Sequence, residues 1–358
     1  MYAGGNNMDN LRLYQGKRVF ITGHTGFKGT WLAKILVDAG AIITGYSLEP
    51  LDNESLYSLI NLEGKMESII GDIRDLKKLQ AALDKAKPEI VFHLAAQPIV
   101  RESYRDPVYT YETNIMGTVN ILEGIRNVSS VKSFVNITTD KVYFNNEQGV
   151  AFTEDMPLGG FDPYSNSKSC SELITDSYKN SFFKDRQIAI STVRAGNVIG
   201  GGDFSKDRII PDCIRDTIQN KPIQVRNPYS IRPYQHVIEV LVVYLMIADK
   251  QIKDISFAGS YNVSPDEVNC ITTGGLVDLF CNEWGENACW ENKWEDNPPH
   301  EANLLMLNNT KLKNKFNWKP KWNIKDTVHY TVEFAKKQNN NDNIWDEMSR
   351  QINEYMEN

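Results

Sequence analysis

The stretch RVFITGHTGFKGTWL, residues 18–32, decides the fold. Its first five residues, RVFIT, are mostly β-branched or aromatic and run straight into a glycine, the pattern of a short buried strand. Residues 28–39 then read as a helix, with Gly40 as a natural C-cap. Between strand and helix, Gly23, Gly26 and Gly29 give G-x-x-G-x-x-G. The first glycine allows a tight turn, the second lets backbone approach a pyrophosphate, and the third lets the helix pack close to the sheet. The helix N-terminus adds bare N–H groups and a partial positive charge for phosphates. Three glycines alone make only a tight turn. Placed between the first strand and first helix of an alternating chain, they mark a dinucleotide site lined by Gly23, Thr25, Gly26, Phe27, Lys28 and Gly29.

Outward from this motif the alternation continues. Residues 42–46, 67–70, 89–94, 132–138 and 188–194 read as strands, and residues 76–86, 108–126 and 163–182 as helices. The expected fold class is α/β: a Rossmann-type doubly wound parallel sheet, with its ligands at the carboxyl ends of the strands. Beyond it the run Gly200-Gly201-Gly202 reads as a flexible break. Residues 209–219 and 237–248 read as helices, 223–226 as a short strand, and 261–263 as a candidate strand of the main sheet. Residues 266–322, rich in Trp, Asn and Pro, suit a smaller, irregular C-terminal substrate lobe. A helix over 325–337 and an Asn-rich separator at 339–343 precede a last helical piece. The expected organisation is a flexible leader (1–15), a dinucleotide-binding domain (16–199 plus 236–263), a substrate-binding lobe (200–235 plus 264–345) and a helical tail (346–358).

The 358 residues suit one large domain, or two that share a cleft. A net charge of −7 offers no footprint for nucleic acid, so an anionic substrate needs a locally basic pocket. The five cysteines (170, 213, 270, 281 and 289) are odd in number and include no C-x-x-C pair. That argues against a disulfide framework or a zinc site, and no metal is expected. Residues 1–10 lack an apolar core of signal-peptide length, and no stretch is apolar for long enough to span a bilayer, so a cytoplasmic protein is expected.

Two segments carry chemistry. Tyr164-Ser165-Asn166-Ser167-Lys168 is Y-x-x-x-K at the start of a helix, a spacing that puts both side chains on one face. An ammonium close to a phenol lowers the phenol's pKa, which predicts Tyr164 as a base for a substrate hydroxyl. Thr138-Thr139-Asp140-Lys141 closes a strand at the catalytic edge and supplies an acid and a base in one place. Asp72, after the third strand, is placed to take an adenine edge. The second strand ends Tyr46-Ser47, without the acidic residue that commonly holds the ribose 2′-hydroxyl of NAD.

With these motifs in hand, the chain resembles the extended short-chain dehydrogenase/reductase family, and within it the nucleotide-sugar 4,6-dehydratases. The resemblance is carried by TGHTGFKGTWL (22–32), GDIRD (71–75), FHLAAQPIVR (92–101), TNIMGT (113–118), TTDKVY (138–143), FDPYSNSK (161–168), VRAGNVIGGGD (193–203), RNPYSIRPYQHV (226–237) and PHEA (299–302). Lys141, where such dehydratases usually carry Glu, is typical of those acting on CDP-glucose. The resemblance implies a lyase that uses NAD, with NADP left open. Its catalytic residues would be Thr139, Asp140, Lys141, Tyr164 and Lys168. Ser47, Asp72, Ile73, Leu94, Ala95, Ala96, Gln97, Asn114, Thr138, Tyr164 and Lys168 would join the glycine loop around the dinucleotide. Gln97, Asn197, Arg208, Arg226, Arg232 and His300 would meet the nucleotide sugar. It also implies a homodimer, or a dimer of dimers, paired through the helix ending at Arg126 and the helix carrying Tyr164. The competing readings are a dehydratase for another nucleotide sugar, a 4-epimerase, and a non-catalytic dinucleotide sensor. An epimerase has no use for Asp140-Lys141, and a sensor has no need of Tyr164 and Lys168.

Overall fold

The computed structural model describes residues 11–50, 55–145, 149–285, 288–293 and 304–357. The opening strand β1 (Arg18–Thr22) pairs in parallel with β2 (Ile42–Ser47) on one side and with β4 (Ile90–His93) on the other. With β3 (Glu67–Ile70), β5 (Ser133–Ile137), β6 (Ala189–Ala195) and β7 (Ser260–Val263) the order is β7-β6-β5-β4-β1-β2-β3, every pairing parallel. The order reverses between β1 and β4, which opens a crevice at their carboxyl ends.

Strand side chains alternate between two apolar layers. Val19 and Ile21 pack with Trp31, Leu32 and Ile35 of α1 (Phe27–Asp38) and with Val240, Leu241 and Tyr244 of α6 (Val237–Lys253). Phe20, Val91 and Phe134 pack on the other face with Leu79 and Leu83 of α2 (Leu76–Ala86) and with Ile121 and Ile125 of α3 (residues 107–126). Each such fully buried side chain contributes about 1.5–3 kcal/mol. α4 (Pro163–Tyr178) ends in a π turn at Lys179–Phe183, so the helix expected to reach residue 182 changes character after Tyr178.

The lobe has its own core. Ile210 and Cys213 of α5 (Ile209–Ile218), Leu276, Val277 and Phe280 of α7 (Thr273–Trp284), and Val328 and Val332 of α9 (Ile324–Asn339) close around Ile223 and Val225. Residues 266–322 are thus more regular than expected. They contain α7 and α8 (Thr310–Phe316), and α8 packs Leu312 and Phe316 into the main core.

Three boundaries differ from the sequence expectation. Tyr14 is buried and its hydroxyl donates to the Leu245 carbonyl at 2.7 Å, so the chain joins the core before residue 16. The expected tail is α10 (Ile344–Glu357), whose Met348, Ile352 and Tyr355 belong to the main core. The triglycine run is a packed crossing rather than a flexible break. A Cβ on Gly201 would stand 1.9 Å from the Phe334 ring, and the Gly201 carbonyl accepts from Trp31 Nε1 at 2.9 Å. Among the described residues no helix is long and apolar enough to cross a membrane.

Candidate active site

The glycine loop divides its work among three positions. Gly23 has φ +78°, and a Cβ there would meet the Ala95 amide at 2.8 Å. A Cβ on Gly29 would stand 2.1 Å from the Gly23 carbonyl. Gly26 is different: its Cβ would meet only the Gly23 oxygen, at 3.5 Å. The protein itself therefore does not forbid a side chain at Gly26, which leaves open space at the start of α1. Gly26 is also the N-cap of α1, and no side chain caps the first turn. The cradle fits a pyrophosphate. His24 is buried beside it with Nε2 2.8 Å from the Ser68 hydroxyl, and burial pulls its ring down to about 4, so it is neutral.

Around this loop, Thr25 Oγ1 lies 2.8 Å from Ser47 Oγ. Asp72 accepts from the Arg74 amide and guanidinium, and hydrogen bonding from Arg74 lowers its carboxyl below the usual range. Ile73 is buried, and a Cβ on Gly117 of α3 would stand 2.8 Å from its side chain. Leu94, Ala95 and Ala96 follow β4, where Thr22 Oγ1 accepts from the Leu94 and Ala95 amides. In α3 the turn Glu112–Met116 widens to a π turn and carries Asn114 inward. Asn114 accepts from the Gln97 amide at 2.8 Å and donates to Ser167 of α4 at 2.9 Å. The Gln97 side chain donates to Thr110 and accepts from the Ile99 amide, so its amide group is engaged within the protein.

α4 begins at an Asp-Pro pair that fixes the start of the catalytic helix. Asp162 is the N-cap and accepts from the Ser165 amide at 3.0 Å, with Pro163 as first helical residue. Tyr164 then lies in the first turn, with the Thr139 side chain at the end of β5 near enough to act on its phenol. Thr139 donates to Asp140 Oδ1 at 2.9 Å. Asp140 is buried at 1% exposure, and its other oxygen, Oδ2, has no partner among the described residues. Lys141 Nζ lies 3.9 Å from Asp140 Oδ1. Lys168 is buried and donates to the Ile137 carbonyl at 2.8 Å.

Burial pushes the Tyr164 phenol up to about 12, against the Thr139 hydrogen bond and the Arg208 charge, which act to lower it. The Lys168 ammonium gives one of its three N–H donors to the Ile137 carbonyl. Burial pulls Lys168 itself down to about 8, with Glu172 resisting.

The three arginines proposed for the nucleotide sugar are each engaged. Arg208 pairs with buried Asp203 at 3.2 Å, close enough to Tyr164 and Lys28 for its charge to act on both. Arg226 pairs with Asp207 at 2.7 Å and Asp212 at 3.6 Å. Arg232 is buried and donates to the Ile231 carbonyl. Asn197 accepts, through its backbone oxygen, from the Gln235 amide. His300 lies outside the described residues. Sequence reasoning missed Asp203, Glu172 and Arg194. Glu172 was findable, because it stands four residues after Lys168 on the same helix face.

The sequence profile of the GDP-mannose 4,6-dehydratase family matches residues 20–331. The CDP-glucose 4,6-dehydratase of Salmonella typhimurium is 44% identical over 355 residues, covering 98% of this chain and 99% of that protein. The CDP-paratose 2-epimerase of Salmonella typhi is 26% identical, covering 89% of this chain and 99% of that one. The dTDP-glucose 4,6-dehydratase of Bacillus anthracis, solved in complex with NAD, shares the fold with a TM-score of 0.75 at 20% identity, over 91% of this chain and 98% of that one. The UDP-glucose 4-epimerase of Thermotoga maritima, solved with UDP-glucose, shares it with a TM-score of 0.77 at 22% identity, over 89% and 99% of the two chains. The match of profile and sequence along nearly the whole chain places it in the GDP-mannose 4,6-dehydratase family, within the extended short-chain dehydrogenases/reductases.

Proposed function

We propose that the protein is an NAD-dependent CDP-glucose 4,6-dehydratase, converting CDP-glucose to CDP-4-dehydro-6-deoxy-glucose with loss of one water. The observation that carries the chemistry is Asp140: a buried carboxyl group with one oxygen unpartnered among the described residues and the other bonded to Thr139, whose side chain acts on the Tyr164 phenol. The likeness to the Salmonella typhimurium enzyme supports CDP-glucose as substrate. NAD is supported by the open cradle at Gly26 and by the NAD complex of the Bacillus anthracis relative.

When bound, the dinucleotide would take up a hydride from sugar C4 and later give it back to C6. The chain's residues move the protons. Tyr164 takes the proton of the 4-hydroxyl, and Thr139 steadies the oxygen as it becomes a carbonyl. The 4-ketone acidifies the C5 hydrogen. Lys141 receives that proton while Asp140 gives its own to the departing 6-hydroxyl. Lys141 returns the proton to C5 as C6 regains hydride, and the proton that Tyr164 took from the 4-hydroxyl replaces the one Asp140 gave up. Carbon is oxidised at C4 and reduced at C6, so the net change is dehydration. An oxidised nicotinamide held beside Tyr164 would add a positive charge favouring the phenolate, alongside the Lys168 ammonium.

The partner expected beyond substrate is a second copy of the chain, through the outer faces of α3 and α4. Val108 (66% exposed) and Leu173 (59%) stand on these faces.

The test is Tyr164→Phe assayed beside wild type with CDP-, dTDP-, GDP- and UDP-glucose. Wild type is expected to dehydrate CDP-glucose, and the variant to bind NAD yet lose turnover by roughly a thousandfold or more. Full activity in the variant overturns the assignment of the base. Dehydration of a different nucleotide sugar alone overturns the substrate.

A further inference from the structure

Glu172 follows Lys168 by one helical turn on α4, and both side chains are 4% exposed. They reach two successive residues of the same strand end. Lys168 donates to the Ile137 carbonyl at 2.8 Å, and Glu172 Oε1 accepts from the Thr138 hydroxyl at 2.5 Å. The next two residues are Thr139 and Asp140. Glu172 Oε2 accepts from Thr192 Oγ1 at 2.7 Å and from Arg194 Nη2 at 2.8 Å, both on β6. Arg194 donates onward to the Tyr143 hydroxyl at 2.8 Å, and that hydroxyl donates to Asn262 at 2.6 Å. One buried carboxylate thus holds segment 138–143 at its first residue directly and at its last through Arg194.

We propose that Glu172 is a positioning residue for the reaction, its two oxygens locking segment 138–143 to α4 and β6 and so setting where Thr139 and Asp140 stand relative to Tyr164 and Lys168. The proposal deepens the dehydratase reading and rests on it for the roles of those four residues. A carboxylate kept only for stability is a poor device. Buried ion pairs are often replaceable by apolar residues at no loss, because desolvation offsets the attraction. Fixing a catalytic segment to the helix that carries the base is a use that apolar residues cannot supply.

Glu172 also acts on Lys168 through its charge. The titratable groups whose charges act on or answer to Lys168 are Glu172 from its own helix, His93 from β4 and Lys28 from α1. Burial holds His93 neutral, pulling it down to about 3, and Lys28 repels a neighbouring ammonium when protonated. Among these, Glu172 is the group that favours the charged lysine. Lys168 is charged below its folded pKa and loses that charge as pH rises through it. Removing the carboxylate's charge moves that loss to lower pH.

The experiment compares kcat and kcat/KM across pH for wild type, Glu172→Gln, Thr138→Val and the double variant Glu172→Gln/Arg194→Met. The nucleotide sugar is whichever one the wild type turns over, so a wrong substrate assignment leaves the test intact. Glu172→Gln is expected to lower kcat roughly tenfold or more with little change in KM. It should also shift the alkaline limb of kcat/KM down by about half a pH unit or more. Thr138→Val removes one hydrogen bond and no charge, so kcat falls while the limb stays. Glu172→Gln leaves Arg194 unpaired and lowers the melting temperature. The double variant removes both charges, and is expected to regain melting temperature but not kcat. Wild-type kcat and limb in folded Glu172→Gln, or full recovery of kcat with stability in the double variant, would overturn the proposal.

Discussion

Burial raises the Tyr164 phenol to about 12, and a positive charge bound beside it would favour the phenolate. Lys28 shows the opposite case. Burial first, then the Arg208 and Lys168 charges, pull its ammonium from 10.5 down to about 7, against Asp203 and Asp140. A lysine so depressed is charged below about 7 and loses its attraction for a pyrophosphate as pH rises through that value. NAD affinity measured by titration calorimetry is therefore expected to weaken roughly threefold or more between about pH 6 and pH 8. In Lys28→Met the affinity should be flat over that range. An unchanged slope in the variant would remove Lys28 from the cofactor's phosphates. The Y-x-x-x-K and Thr-Asp-Lys patterns were legible in the sequence because each is local, a spacing of a few residues on one element. The commitment of Lys168 to the Ile137 carbonyl was not, since it depends on how far α4 stands from β5.

At the scale of elements, the glycine loop makes a paired prediction. Gly29→Ala forces a Cβ onto the Gly23 carbonyl at 2.1 Å and is expected to lower the melting temperature by several degrees. Gly26→Ala meets nothing nearer than 3.5 Å, so it should melt like wild type and bind NAD at least about tenfold more weakly. If both variants lost stability alike, the cradle argument would be wrong. The β–α alternation was legible because parallel strands buried on both faces are continuous apolar runs. α7 was not. Residues 266–322 read as irregular from their Trp, Asn and Pro content, yet the helix is capped by Thr272, which accepts from the Gly275 amide at 3.1 Å, and its Gly274 makes room for the Pro228 carbonyl, remote in sequence. The triglycine run misled for the same reason: its glycines answer to Phe334 and Leu56, residues remote in sequence.

At the scale of the whole molecule, the body and lobe share helices that sequence order assigns to one side only. α9 buries Val328 and Val332 in the lobe and Phe334 in the main core. α10 is tied to α9 by Arg350, which pairs with Glu333 and Glu347, and its Tyr355 stacks edge-on against Trp322 at 5.1 Å. The Asn-rich stretch before α10 therefore turns the chain back on itself rather than releasing a tail. The outer faces of α3 and α4 yield a prediction at this scale. Val108→Glu/Leu173→Glu is expected to convert a dimer to a monomer by sedimentation velocity, with the melting transition kept. A wild-type chain that sediments as a monomer would contradict the pairing.

The central claim, an internal redox dehydration, is tested most directly with CDP-glucose carrying deuterium at C4 and NAD in catalytic amount, the product being read by mass spectrometry and NMR. The account predicts a product lighter by one water that retains the deuterium, now on C6. A product of unchanged mass, or one that has lost water with its deuterium exchanged away, would contradict it.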